Sequence, residues 1–275
     1  DRSSAASDVY KRQVPENAIL QNFIAYHRLA ADYDKREAAG IEPARAYIDE
    51  IRNLASFEEY ASKIADFELA GKPTYFPFGV APDFMDARIN VLWADGPGTI
   101  LPDTTYYAED HPQKADLLAK WRKTQEDLLA KFDFAEEEIK DLLDKVLELD
   151  AVFAQYVLSS EESSEYAKLY HPYKWDDFKA LVPELPLADI FTKLIGQEPD
   201  QVIVPEERFW QAAKDIYTSA NWDKLHALLI LSAVRNTTPY LTDDIRVLAG
   251  AYHRALSGTP QAQDKKKAAF YLAQG

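Results

Sequence analysis

Apolar residues recur along this chain at helical rather than strand spacing. Across 135–160 they fall at Ile139, Leu142, Leu143, Val146, Leu149, Phe153, Tyr156 and Val157, the stripe that an amphipathic helix turns toward a core. Lys140, Asp141, Asp144, Lys145 and Glu148 take the opposite face. The stretch 112–132 repeats the pattern with Leu117, Leu118, Trp121, Leu128, Leu129 and Phe132. Between 56 and 70, a Ser-x-x-Glu start (Ser56, Glu59) and the following Gly71 mark the two ends of a helix. Further helices are predicted over 17–38, 43–54, 161–170, 174–182, 187–195, 205–219, 221–236 and 241–257, punctuated by Pro43, Pro172, Pro183, Pro205 and Pro239. The segment 264–275 reads as one more helix opening, with Gly275 as its C-cap.

One region departs from this period. Residues 74–81 (TYFPFGVA) and 86–94 (DARINVLWA) are rich in aromatic and β-branched side chains and are separated by Pro82 and Asp83. They predict a two-strand ribbon whose first strand, holding Pro77 and Gly79, belongs at an edge. A lone ribbon is marginal, so it must lie against the helices. No repeat of solenoid length and no Gly/Ser-rich linker interrupts the chain. The expected fold is mainly α: one antiparallel helical lobe with a small β-ribbon near residues 74–94.

Composition narrows the function. The 275 residues carry 31 Lys+Arg against 46 Asp+Glu, a formal charge of −15, which opposes nucleic acid and anionic membrane surfaces as partners. With 47 % hydrophobic and 28 % charged residues the chain reads as globular. The absence of cysteine removes disulfide scaffolds, thiolate zinc sites and thiol nucleophiles together. No apolar run is long enough to span a bilayer and no signal-peptide core is visible, so a cytoplasmic location is expected.

Candidate chemistry is sparse. None of His27, His111, His171, His226 and His253 lies one helical turn from another, so no helix offers a paired-imidazole metal site. His111, after Glu109 and Asp110, reads as a metal or acid/base cluster or as an exposed helix entry, and the second reading is the simpler; His226 sits among apolar positions of its helix. Glu161, Glu162 and Glu165 form a run at a helix start. Asp32 and Asp34 open like a calcium loop, but Glu37 and Pro43 stand where that loop needs Gly and Glu. Phosphate-cradling and nucleophile-elbow motifs are absent. Trp93, Tyr106, Tyr107 and Trp121 suit a cavity wall or a core equally.

Two segments carry more than composition. The run from Phe78 through Pro82, Asp83 and Asn90 to Leu92-Trp93-Ala94-Asp95-Gly96 leads into Ile100-Leu101-Pro102-Asp103-Thr104-Thr105-Tyr106-Tyr107. This ribbon, Gly-rich turn and Leu-Pro-x-x-x-Tyr-Tyr ahead of a long helix resemble the neprilysin-type zinc endopeptidases, in particular their bacterial oligopeptidase branch. The segment 240–260, with Tyr252-His253-Arg254-Ala255-Leu256-Ser257-Gly258, is similar to the stretch before that family's crossover into its catalytic domain.

The resemblance implies a two-lobed enzyme in which this chain is the helical, N-terminal, non-catalytic half. It would form the cavity wall that limits substrates to oligopeptides. Zinc is expected in the full-length enzyme and none on this chain, because the His-Glu-x-x-His helix and its downstream Glu are not in the sequence. No catalytic residue and no metal ligand is therefore carried over, and substrate-binding residues stay unassigned. The expected partners are peptide substrates and the catalytic domain of the same polypeptide. The segment 1–13 (DRSSAASDVYKRQ) reads as a non-native leader or a native unstructured one, with 14–275 as the helical domain of a fragment. The alternative reading is a self-standing helical binding module without catalysis.

Overall fold

The computed structural model describes residues 18–72 and 74–274. The leader over 1–13 and the proposed C-cap at Gly275 lie outside the described residues. Where the sequence suggested one helical body, the chain divides into two compact units. The smaller takes residues up to Ala46 and from Arg235 onward; the larger runs Tyr47–Val234.

In the larger unit the strong helical patterns form as expected. Ser56 caps helix α4 (Phe57–Leu69), accepting from the Glu59 amide at 3.1 Å. The Glu59 carboxylate reaches back to the Ala55 amide at 2.9 Å, one residue earlier than a strict capping box requires. Helices α5 (Lys114–Lys131) and α6 (Glu136–Tyr156) form a hairpin, turned by Asp133 in the left-handed region at φ 63°. The predicted stripe Leu142, Leu143, Val146, Leu149 and Phe153 is buried. Ion pairs such as Arg122–Asp144 at 2.8 Å lie on the wet faces of the hairpin, where each adds little. Leu187–Ile195, helix α9, begins and ends where its sequence pattern does.

The ribbon is real and larger than predicted. Strands β1 (Phe78–Pro82) and β2 (Asn90–Ala94) pair antiparallel, Phe78 opposite Ala94 and Pro82 opposite Asn90. Two further strands, β3 (Pro172–Lys174) and β4 (Gln201–Ile203), complete a four-stranded sheet in the order β1-β2-β4-β3. β4 lies parallel to β2, Leu92 opposite Val202, and antiparallel to β3. Both edges carry prolines, as an edge tolerates.

Aromatic side chains bind the sheet to short helices α8 (Trp175–Lys179), α9 and α10 (Glu207–Ala212). Trp210 of α10 is fully buried at their centre. Its ring lies 5.3 Å from Phe78, 5.0 Å from Phe178 and 5.8 Å from Tyr217, on which it stacks. Its indole N–H donates to the Asp95 carbonyl at 3.1 Å, just past β2.

The smaller unit holds α1 (Ala18–Ala31), α2 (Tyr33–Ala39), α12 (Asp243–Ala249), α13 (Ala251–Ser257) and α14 (Lys265–Gln274). The pattern over 17–38 is interrupted at Asp32, whose side chain accepts from the Lys35 amide at 3.1 Å and caps α2. The pattern over 241–257 is interrupted at Gly250, where a Cβ would stand 2.7 Å from the Arg254 guanidinium as that group reaches back to the Val247 carbonyl. Arg36 ties the unit together. It donates to the carbonyls of Ala30, Pro239 and Leu241 at 2.7, 2.7 and 2.6 Å, with its guanidinium 4.2 Å from the centre of the Tyr33 ring. Tyr33 in turn donates to the Lys265 carbonyl at 3.0 Å.

Trp210→Ala is expected to destabilise the larger unit by about 3–5 kcal/mol, the range for emptying a packed aromatic site. Urea unfolding should show this as a lowered midpoint.

Candidate functional site

The segment carrying the family resemblance is held by one buried carboxylate. Asp150 lies on the apolar face of α6, four residues after Val146 and three before Phe153, and is buried with them. Its Oδ1 accepts from the Ile100 amide at 2.8 Å and its Oδ2 from the Tyr107 hydroxyl at 2.6 Å. That hydroxyl accepts from the Leu101 amide at 3.1 Å. Leu101 is itself buried, so the Leu-Pro-x-x-x-Tyr-Tyr motif closes on itself over α6. Burial pushes the Asp150 carboxyl up against the opposing pull of its two hydrogen bonds. Burial and the neighbouring carboxylate push the Tyr107 phenol up as well.

A second carboxylate ties this loop to α7 (Ser160–Ser164). Asp103 Oδ2 accepts from the Thr105 hydroxyl at 2.6 Å, and Oδ1 accepts from the Ser160 amide at 2.7 Å and its hydroxyl at 3.1 Å. The Thr105 and Ser160 donors hold its carboxyl down at about 2. On the other side, Glu206 accepts from the Leu158 amide at 2.9 Å. Its Cγ sits 2.7 Å from where a Cβ on Gly96 would be, so the turn after β2 needs glycine for this close approach. Burial raises the carboxyls of both Glu206 and Asp95.

These ties frame an open cleft of about 460 Å³, lined by Thr99, Pro102, Asp103, Leu158, Ser160 and Ser163 among others. Tyr166 also lines it, and stacks on Phe84 at 6.3 Å. Phe84 and Met85, between β1 and β2, are exposed. The acceptors of Asp103 are committed to local donors, so the cleft offers hydroxyls and apolar rings to a ligand rather than a poised base. A second concavity, of about 1070 Å³, belongs to the smaller unit and is mostly apolar.

The structure scatters the histidines. His111 stacks on Tyr106 at 4.2 Å and accepts from the Gln113 amide at 3.2 Å, the local arrangement of a helix entry. His226 stacks on Trp222 at 4.7 Å with Nε2 2.8 Å from the Ile51 carbonyl. His171 Nε2 lies 3.2 Å from Glu207, which also accepts from the Tyr173 hydroxyl at 2.5 Å. His27 is buried 6.4 Å from the Phe270 ring, and His253 is exposed. Among the described residues no three His, Cys, Asp or Glu side chains are grouped to hold a metal ion. The donor set that a catalytic zinc needs therefore does not fit the described residues. Glu162 accepts from the Ser159 amide at 2.8 Å and Arg208 at 2.8 Å, which makes this one member of the acidic run a capping residue. Trp121 is buried in the core, while Trp93, Tyr106 and Tyr107 are partly exposed. Among the described residues no helix is long and apolar enough to cross a membrane.

Sequence reasoning missed Asp150, Glu206 and Arg36. For Asp150 a signal existed: an acid on the apolar stripe of a helix must be satisfied by a specific partner. Tyr107→Phe leaves the Leu101 amide without its acceptor and Asp150 without one of its two donors. A loss of about 1–3 kcal/mol in urea unfolding is expected. The depressed Asp103 carboxyl has a pH signature. Its contribution is complete above the ordinary carboxylate range of ~4 and is lost as pH falls through that range toward its folded value, which is about 2. Asp103→Asn should flatten the stability profile across that window in a series of urea titrations.

The model of peptidase family M13, in its N-terminal part, matches residues 2–275. A Streptococcus gordonii protein named "Putative zinc metalloproteinase in scaA 5'region" is 95 % identical over 262 residues, covering 95 % of this chain and 46 % of that protein. The neutral endopeptidase of Lactococcus lactis subsp. cremoris is 33 % identical over 262 residues, covering 95 % of this chain and 42 % of its own length. The crystal structure of PepO from Lactobacillus rhamnosis superimposes with a TM-score of 0.90 at 26 % identity, over 99 % of this chain and 43 % of that one. The chain thus spans about half the length of the curated relatives it matches. Match, coverage and fold agree that the chain belongs to peptidase family M13, as part of its N-terminal region.

Proposed function

We propose that this chain is the non-catalytic N-terminal half of a zinc metalloendopeptidase that hydrolyses oligopeptides. The observation that carries this reading is the family match over residues 2–275 combined with coverage of under half of relatives named for zinc or neutral endopeptidase activity. In this reading zinc, its ligands and the general base are supplied by polypeptide beyond this chain. The chain contributes wall: a sheet-and-helix face, with a hydroxyl-rich cleft and the exposed Phe84–Tyr166 stack beside it, that lines the chamber and restricts entry to short peptides. The aromatic packing around Trp210 suits that role, because a size filter must not yield to a large substrate.

The full polypeptide supplied with zinc is expected to cleave a short unstructured peptide and to spare a folded protein containing the same sequence. Residues 1–275 alone should neither retain zinc in equilibrium dialysis nor cleave the peptide. Stoichiometric zinc on the 275-residue chain, or a reading frame that stops after Gly275, would favour a self-standing binding module instead.

A further inference from the structure

The four-stranded sheet of the larger unit leaves one edge open. β1 ends the strand order β1-β2-β4-β3, so among the described residues only β2 pairs with it. The ladder fixes which of its main-chain groups are used. The Pro77 carbonyl accepts from the Asp95 amide at 2.8 Å, and the Asp83 amide donates to the Ile89 carbonyl at 2.7 Å. Antiparallel pairs alternate, so Pro77, Gly79, Ala81 and Asp83 turn their peptide groups toward β2, while Phe78, Val80 and Pro82 turn theirs away. The outer row is the Val80 N–H and the carbonyls of Phe78, Val80 and Pro82; the Phe78 amide is taken by the Phe76 carbonyl at 2.9 Å.

Proteins blunt an exposed edge with charge, a bulge or a cover. β1 holds no charged residue, Val80 is 65 % exposed, and a Cβ on Gly79 would meet nothing within 4 Å. Such an edge selects by backbone chemistry, for an extended segment that lends alternate N–H groups to it. Two carboxylates follow the strand and differ. Asp86 is held by Arg88 in two hydrogen bonds, each of 2.8 Å. Asp83 accepts from the Met85 amide at 3.1 Å and from the Tyr170 hydroxyl, both neutral, and among the described residues pairs with no cation. A segment antiparallel to β1 carries its N-terminal end past Pro82 to Asp83, where a free peptide amine supplies the missing charge. Beside it the exposed Phe84 ring, 6.3 Å from Tyr166 and 6.2 Å from Tyr170, offers apolar surface. This chemistry fits a short peptide better than a second copy of the chain, because a strand inside a folded protein brings no free amine to that place.

We propose that the outer edge of β1 is a subsite on which an extended substrate peptide adds to the sheet, antiparallel to β1, with its α-amine on Asp83. The proposal rests on the peptidase reading above and adds to it a place where the substrate is held. The peptide residue opposite Val80 exchanges two hydrogen bonds with it, and its neighbours two positions away donate to the Phe78 and Pro82 carbonyls.

The full polypeptide, depleted of zinc, would be titrated into a short peptide of Ser, Thr and Val carrying fluorescein on a C-terminal lysine, with binding read by anisotropy. Val80→Pro removes an N–H that the β1–β2 ladder does not use, and Gly79 before it accommodates a following proline. The dissociation constant is expected to rise at least about tenfold in this variant, with the urea midpoint unmoved. The parent should bind the free-amine peptide several-fold more tightly than its N-acetylated form, and Asp83→Asn should bind both alike. Unchanged affinity in folded Val80→Pro overturns the proposal. So does a parent without preference for the free amine, or a preference that survives in Asp83→Asn; if Val80→Pro does not fold, the Asp83→Asn comparison decides. Self-association of the parent that Val80→Pro abolishes also overturns it, because a second copy would then hold the edge. Cleavage of the same peptide with zinc restored tests the peptidase reading separately. Binding that depends on Val80 without cleavage keeps a peptide site and removes the enzymatic proposal. Cleavage whose KM is unmoved by Val80→Pro does the reverse.

Discussion

A buried tryptophan with a single polar need organises the larger unit. Trp210 presents its faces and edges to Phe78, Phe178, Phe209 and Tyr217, and its one N–H must find an acceptor in a dry site. The acceptor is the Asp95 carbonyl, which fixes where the chain leaves β2. That exit places Gly96 against Glu206, Glu206 against the Leu158 amide, and Leu158 on the cleft. The parallel pairing of β2 with β4 is supported from the same side, since Val202, Ile203 and Val204 are fully buried. Removing water from all of these at once makes this part of the larger unit stiff.

How much of this could be read from the sequence depended on the length over which a pattern persists. Helices α5, α6 and α9 repeat their period long enough to be recognised, and their cores are the residues that the period selects. The three-residue strands β3 and β4 have no period to show. They exist because β2 offers an edge to Val202 and Ile203, and β4 in turn offers its free edge to Tyr173, a tertiary cause that no local window contains. Helix breaks at Asp32 and Gly250 were equally hidden, since each depends on a specific cap or on a guanidinium folding back. The polar anchors were partly legible. Asp150 disturbs an otherwise apolar face, whereas Glu206 and Arg36 sit in segments whose pattern gives no hint of the backbone groups they bind.

The family resemblance rested on Leu101-Pro102 and Tyr106-Tyr107, and the structure supplies the physical reason for such a motif. Tyr107 and the Ile100 and Leu101 amides enclose one carboxylate, an arrangement in which each group needs the others to avoid an unsatisfied polar atom. A motif of that kind reports architecture, not chemistry. It identifies a peptidase family through packing and hydrogen bonding within the scaffold.

The three carbonyls around Arg36 also impose an order of events during synthesis. Its partners Pro239 and Leu241 follow it by 203 and 205 positions, and Lys265 follows Tyr33 by 232. All the residues from Tyr47 to Val234 are synthesised before the first of these acceptors exists. The larger unit can therefore complete its own core while α1 and α2 still wait, their apolar faces uncovered and the guanidinium hydrated. At elongation rates of roughly 5–20 residues per second that interval lasts on the order of ten seconds or more. Over it α1 and α2 wait longest for their partners, although they are made before the rest of the described residues.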